Sequence, residues 1–197
     1  MKGILFVMSG PSGTGKGTVC SRLLEREQLN LSVSATTRDM REGEVDGVTY
    51  HYVTRDKFES MIARGDMLEY ADYNGCYYGT PKRSVTSLLD RGKDVLLEIE
   101  PQGALQVKKL FPEAVLVFLV PPSMAELKQR LISRGRESEE EISKRIDASQ
   151  WELRQAEKYN KIIVNNDLDT CVDETISYIA GVREERKLID KLMNEEI

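Results

Sequence analysis

The sequence predicts an α/β fold, a parallel sheet core flanked by helices, and three observations lead there. Apolar runs recur at 3–9, 94–100, 114–120 and 161–165, the third reading Ala114-Val115-Leu116-Val117-Phe118-Leu119-Val120. Such near-continuous runs suit strands buried on both faces, as in a parallel sheet. Stretches with helical spacing alternate with them, the pattern of strands joined by right-handed crossovers. Between the first run and the first helix stands a glycine-rich turn, Gly10-Pro11-Ser12-Gly13-Thr14-Gly15-Lys16-Gly17-Thr18, in the setting that a phosphate-binding loop requires.

Each element has its own signal. Ile4-Leu5-Phe6-Val7-Met8 is a buried strand, and a helix starts near Lys16 with the amphipathic Val19-Cys20-Ser21-Arg22-Leu23-Leu24. Residues 33–80 break the alternation. They are rich in Thr, Tyr and Gly, and stretches such as Val48-Thr49-Tyr50-His51-Tyr52-Val53 predict a small mixed β insertion with a helix at about 55–64. A helix over 80–91 takes Thr80 as cap, Pro81 as first helical residue and Gly92 as stop. Ser123-Met124-Ala125-Glu126 and Ser138-Glu139-Glu140-Glu141 are capping boxes opening two more helices. The last helix runs from near Asp169 to about Asn194. The organisation that follows is a core of 1–32 and 81–197, with a helical lid at about 122–157, and a second domain at 33–80.

Composition narrows the class. A net charge of -5 over 197 residues argues against a general nucleic-acid binder. No stretch is long enough to span a membrane, and the short N-terminal run ends in the glycine turn, unlike a signal peptide. Cys20, Cys76 and Cys171 are odd in number and far apart, which suits a reducing cytoplasm without disulfide or zinc. Cys20 is expected on the buried face of its helix, Cys76 exposed in a turn, and Trp151 packed on the core. The lone His51 reads as a partly exposed sheet residue, and Arg183-Glu184-Glu185-Arg186-Lys187 as a solvated face with i,i+4 pairs.

The chemistry of the loop is specific. Gly10, Gly13 and Gly15 can adopt backbone angles closed to other residues, letting successive N–H groups converge on phosphate oxygens at a helix N-terminus. Lys16 would reach the outer phosphates as a point charge. The strict pattern ends Gly-Lys-Ser/Thr, whereas Gly17 follows the lysine here and the hydroxyl comes at Thr18. Magnesium is therefore expected to be held mainly through phosphates and waters, with Thr18 as a candidate ligand.

Other groups carry two readings each. Arg38 and Arg41, in Ser34-Ala35-Thr36-Thr37-Arg38-Asp39-Met40-Arg41, are either surface charges or a pair gripping one monophosphate through planar forks. Tyr50, Tyr77 and Tyr78 suit sheet packing with a wet hydroxyl. Glu69 is either an exposed strand carboxylate or a buried one able to accept two N–H bonds from a guanine edge. Residues 134–146 are either a solvated charged turn or an arginine-bearing lid over phosphates.

Together, the loop, Ser34-Ala35-Thr36-Thr37-Arg38-Asp39-Met40-Arg41-Glu42-Gly43-Glu44-Val45-Asp46-Gly47, Tyr77-Tyr78-Gly79-Thr80, Gln102-Gly103-Ala104, Arg134-Gly135-Arg136 and Ile163-Val164-Asn165-Asn166 closely resemble the guanylate kinase family, P-loop nucleoside monophosphate kinases. The resemblance implies that 33–80 is a GMP-binding domain. Ser34 and Glu69 would read the guanine with Thr80 helping; Arg38, Arg41, Tyr50 and Tyr78 would hold the acceptor phosphate, with Glu44 ordering that loop. It also implies ATP on Gly10 to Thr18 and near Asn165, with Asn166 beside it. Arg134 and Arg145 would come from the lid, with Arg130 and Arg136 as lesser candidates. Glu98 and Glu100 stand where the family carries an acidic pair, one near magnesium or its waters, Glu98 being the candidate, and one near GMP. The second is often aspartate, and Pro101 beside it stiffens the turn.

The implied reaction is ATP + GMP = ADP + GDP, a step of purine nucleotide metabolism, with dGMP a lesser acceptor. The GMP phosphate is already ionised, so no general base is required, and positioning and charge neutralisation by Lys16, magnesium, Arg38, Arg134 and Arg145 suffice. Closure of the 33–80 domain and the lid would exclude water. The expected protein is a cytoplasmic monomer or homodimer whose partners are ATP and GMP. The rivals are a kinase with another acceptor, disfavoured by Ser34, Glu69 and Thr80 together, and a catalytically dead scaffold module, disfavoured by Lys16. No Asn-Lys-x-Asp motif supports a GTPase.

Overall fold

The computed structural model describes residues 2–73, 75–133 and 138–194. Along the chain stand β1 (Leu5–Ser9), α1 (Lys16–Arg26), β2 (Asn30–Leu31), β3 (Ala35–Thr36), β4 (His51–Tyr52), α2 (Arg55–Ala63), β5 (Met67–Tyr73) and β6 (Cys76–Pro81). There follow α3 (Lys82–Leu89), β7 (Val95–Glu98), α4 (Pro101–Leu110), β8 (Val115–Val120), α5 (Met124–Ser133), α6 (Glu139–Arg154), β9 (Lys161–Val164) and α7 (Leu168–Met193). All of the long apolar runs become strands of one sheet, ordered β2-β7-β1-β8-β9. Its β2–β7 and β8–β9 pairs are parallel, Val117 facing Lys161 and Val120 facing Val164 in the second.

By its internal contacts the chain divides into two compact units, residues 8–29 with 116–197, and residues 2–7 with 30–115. In the first, α1 packs on α7, and the ion pairs Arg26–Asp173 (2.7 Å) and Arg183–Glu27 (2.5 Å) fasten the two helices. Phe118, Leu119, Leu127 and Leu131 are among its fully buried side chains. In the second, a four-stranded mixed sheet runs β4-β3-β6-β5, with β3 parallel to β4 and antiparallel to β6. Ala35, Phe58 and Met67 form its small core. Tyr77 stacks on Phe58 at 5.1 Å and Arg55 covers Tyr77 at 4.4 Å. Burying Phe58 contributes about 2–3 kcal/mol relative to leaving it in water. Thr54 caps α2 by accepting from Lys57 N–H, and Ser138 and Glu141 cap each other's backbone to open α6.

Several local expectations are corrected. Thr80 is not a helix cap: β6 runs through Pro81, which itself occupies the N-cap of α3. The 48–53 stretch shrinks to the two-residue β4. Strand β9 is an edge strand, and only Ile163 of its apolar residues is buried, Ile162 and Val164 facing out. Trp151 is 51% exposed. It lies two residues beyond the buried Ser149, a rotation of about 200° around the helix. In the 183–187 stretch, Arg183 reaches Glu27 and Lys187 pairs with Glu184 at i,i+3, leaving Arg186–Asp190 as the i,i+4 pair.

Candidate active site

The candidate residues fall in two clusters, one in each unit. The first is the glycine turn. Gly10, Gly13 and Gly15 all have positive φ, of 149°, 94° and 92°, where a side chain is strained. Space excludes one too: a Cβ would stand 2.1 Å from the Leu119 carbonyl oxygen at Gly10 and 2.6 Å from Asn165 Nδ2 at Gly15. Gly15 is the N-cap of α1, no side chain caps the helix, and its first turn holds no acid. The first-turn N–H groups and the helix dipole thus present positive potential to an anion. Lys16 is 8% exposed, and its Nζ donates to the carbonyls of Gly10 (2.6 Å) and Pro11 (3.2 Å). Thr14 closes the turn with its N–H and hydroxyl on the Pro11 carbonyl.

Side chains from later in the chain hold this loop. Asn165 is buried, and its Nδ2 donates to the Thr14 carbonyl at 2.8 Å. Arg130, paired with Glu126 at 2.9 Å, donates in turn to the Asn165 carbonyl. The amide of Asn165 therefore braces the loop, and Asn166 is exposed. Arg145, from α6, donates to Ser12 Oγ at 2.5 Å, so a guanidinium already stands at the turn. Thr18 is exposed on the first turn of α1. Arg134 and Arg136 lie outside the described residues.

The second cluster centres on Glu44. Its carboxylate accepts from Arg38 Nη2 with both oxygens (2.7 and 2.9 Å), from Arg41 N–H (2.7 Å) and from the Tyr52 hydroxyl (2.7 Å). The Arg38 guanidinium, first among these partners, holds the carboxyl well below the usual carboxylate range, at about 2. Arg38 in turn is pushed further toward its charged form by Glu44. The Arg38 guanidinium lies 5.7 Å from the Tyr50 ring and 5.9 Å from the Tyr52 ring, and Tyr78 meets Tyr50 edge-on at 5.9 Å. Burial pushes the Tyr50 phenol up, Tyr78 adds to it, and Glu98 at the end of β7 also contributes, so Glu98 is within electrostatic reach of this group. The Arg41 side chain is exposed. Tyr52 was not legible as a site residue; its sole sequence signal is its place next to His51 in a short alternating strand.

Glu69 is buried, 6% exposed, and so is not an exposed strand carboxylate. A bulge in β5 between Met67 and Glu69 breaks the two-residue alternation, so Met67, Leu68 and Glu69 are all buried. The bulge also sets Glu69 directly opposite Thr80, whose hydroxyl donates to Glu69 Oε1 at 2.7 Å. Burial pushes the Glu69 carboxyl up, and the hydroxyl and N–H of Thr80 partly offset it. Ser34 is half-buried just before β3, its carbonyl taken by His51 N–H at 2.8 Å. Glu98 and Glu100 are both exposed, and Glu100 occupies the N-cap of α4 ahead of Pro101.

A glycine-rich turn at a helix N-terminus, a two-arginine loop and a buried carboxylate are thus all present in one chain. The family model for guanylate kinase matches residues 2–181. The chain belongs to the guanylate kinase family. A guanylate kinase of Thermus thermophilus is 51% identical over 183 residues, covering 93% of this chain and 83% of that one. The guanylate kinase of Oceanobacillus iheyensis is 50% identical over 191 residues, covering 96% and 93%. Among solved structures, the guanylate kinase of Anaplasma phagocytophilum superposes with a TM-score of 0.75 at 30% identity, over 99% of this chain and 97% of that one. The guanylate kinase match spans both clusters, from the glycine turn to the helix that follows Asn165.

Proposed function

We propose that this chain transfers the γ-phosphoryl group of ATP to GMP, yielding ADP and GDP, with dGMP as a slower acceptor. The observation that carries the choice of acceptor is the buried Glu69 carboxylate, held by Thr80 on the sheet that also bears the Arg38–Glu44 loop. A guanine edge offers adjacent N1–H and N2–H donors to two carboxylate oxygens; adenine, cytosine and uracil offer no such pair. Ser34 and Thr80 complete the base contacts. Arg38, Arg41, Tyr50 and Tyr78 hold the GMP phosphate, Glu44 fixes Arg38 for that task, and Glu98 and Glu100 border the nucleotide. On this reading residues 33–80 are the GMP-binding domain and about 122–157 the lid of the core.

Gly10 to Thr18 take the ATP phosphates on their N–H groups, with Asn165 keeping the turn in shape. Lys16 exchanges its carbonyl partners for phosphate oxygens, and Arg145 turns from Ser12 to the transferring group with Arg134. No proton need be abstracted, because the attacking GMP oxygen is ionised at neutral pH. Among the described residues no cluster of three or more His, Cys, Asp or Glu side chains is built to hold a metal. Thr18 and Glu98 are exposed oxygen donors, which suits groups meeting the waters of a magnesium held mainly by phosphates. Bound magnesium would neutralise phosphate charge in the transition state. The proposed setting is the cytoplasm, as monomer or homodimer, without nucleic-acid or membrane partners; no helix among the described residues is long and apolar enough to cross a membrane.

The test is ADP release with ATP and magnesium against GMP, dGMP, AMP, UMP, CMP and dTMP in turn. Fast release with GMP and slower release with dGMP are expected. Release with AMP or a pyrimidine would overturn the acceptor, and silence with all six would overturn the kinase.

A further inference from the structure

We infer that Gly103 and Gln106, on one face of α4, are specificity-positioning residues: together they set where the Glu69 carboxylate stands, and so which base is accepted. The inference rests on the proposed reading of guanine by Glu69.

Gly103 is buried in the first turn of α4, its third residue, and glycine is a poorer helix former than alanine. Its φ is not among the positive ones, so the backbone does not demand it. Space does. A Cβ at 103 would stand 2.6 Å from Glu69 Oε2, 3.2 Å from its Cδ and 3.5 Å from its Cγ. The helix thus leaves a notch one methyl deep, and the carboxylate fills it. Because Glu69 is enclosed and tied to Thr80, an added methyl would push the carboxylate off its place.

Gln106 lies three residues on, on the same side of the helix. Its amide takes both peptide groups of Tyr70: Oε1 accepts from Tyr70 N–H at 3.2 Å, and Nε2 donates to the Tyr70 carbonyl at 2.9 Å. Strand β5 is the edge of its sheet, so the glutamine pairs with it as a neighbouring strand would. The backbone next to Glu69 is fixed by Gln106, and the side chain is given its room by Gly103.

The experiment is steady-state kinetics with Gly103→Ala, Glu69→Gln, and Gly103→Ala in a Glu69→Asp background. A displaced carboxylate weakens hydrogen bonds to a charged acceptor, whose loss costs roughly 10-fold or more in binding, so Gly103→Ala is expected to raise the Michaelis constant for GMP by about 10-fold or more. Turnover at saturation and the Michaelis constant for ATP should stay within about twofold. In the Glu69→Asp background the carboxyl group withdraws by one bond, its carbon to the former Cγ at 3.5 Å and its oxygens to no nearer than about the former Cδ at 3.2 Å, which relieves the 2.6 Å clash. There Gly103→Ala should add less than about a twofold penalty, and the melting temperature should rise, since alanine is the better helix former. Gln106→Leu, which alters neither residue of the notch, should also raise the GMP constant and spare that for ATP. An equal penalty for Gly103→Ala in both backgrounds overturns the inference, because the effect then does not pass through Glu69. A raised constant in Glu69→Gln with none in Gly103→Ala or Gln106→Leu overturns it alone. An unchanged constant in Glu69→Gln overturns the reading of Glu69 and this inference with it.

Discussion

Arg38 and Glu44 close their loop with a two-pronged ion pair, at 2.7 and 2.9 Å, with both side chains largely shielded from water. The same carboxylate also holds Arg41 N–H and Tyr52, so one acid orders both arginines proposed to grip the acceptor phosphate. Glu44→Gln leaves the fork of Arg38 without its charge partner. The Michaelis constant for GMP is expected to rise about 10-fold or more, the loss typical of a charge-assisted bond, with that for ATP unchanged. The pH dependence has a definite sign. A carboxyl lowered from 4.5 to about 2 contributes its order fully above 4.5 and loses it as pH falls toward 2. Across neutral pH the Glu44 contribution should therefore be flat, as a profile of GMP binding by wild type against Glu44→Gln would show.

Lys16 and Arg145 both touch the glycine turn, through Gly10, Pro11 and Ser12. The proposed GMP contacts belong to the other compact unit, within residues 30–115. Lys16→Ala and Arg145→Ala should each lower turnover by roughly 100-fold or more, the usual cost of removing a group that meets developing charge. GMP affinity, measured by calorimetry, should stay within about twofold. Normal turnover in either variant would remove that residue from the proposed mechanism.

How much of this is legible in the sequence depends on whether local pattern or partner geometry decides the outcome. The sheet strands are legible because their burial is written as apolar runs, and the turn because three glycines, Gly10, Gly13 and Gly15, must take positive φ. The surroundings of Glu69 are not. Nothing in Met67-Leu68-Glu69-Tyr70 marks a bulge, and strict alternation sets Leu68 and Glu69 on opposite faces. Thr80 reads as a cap because Pro81 suits a first helical turn, yet β6 takes both residues for its pairing with β5. Resemblance places Asn165 at the nucleotide but gives no sign of its bond to the Thr14 carbonyl, 151 residues earlier. Contacts over such separations leave no periodic trace in sequence.

The buried carboxyl of Glu69 carries its own pH signature. Burial raises it, and Thr80 offsets part of that rise, so it keeps its proton to a higher pH than an ordinary glutamate. On the proposed reading, protonation removes an acceptor for the guanine edge. Guanosine binding should therefore weaken on acidification, beginning at a pH where an ordinary glutamate is still ionised. Guanosine is the better probe because it lacks the titrating phosphate of GMP. Glu69→Gln should bind it weakly at every pH and flatten the profile. A wild-type profile as flat as that of Glu69→Gln would mean that the carboxylate does not meet the base.

The three cysteines should separate cleanly by reactivity. Burial pushes the Cys171 thiol up to about 11, with Glu174 adding to it, so almost none is thiolate at about pH 8, and the thiolate is the nucleophile. Cys20 is buried at 2% exposure on α1, whereas Cys76 is half-buried at the start of β6. A thiol reagent such as dithiobis(nitrobenzoate) should thus modify Cys76 in the native protein, and Cys20 and Cys171 only on unfolding. Titration should show one fast thiol, with the other two appearing in denaturant. Cys76 stands beside Tyr77, Tyr78 and Thr80 on β6, so saturating GMP should slow even the fast reaction. Rapid native labelling of Cys171 would mean that α7 opens from the core far more readily than its buried Val172 and Ile179 allow.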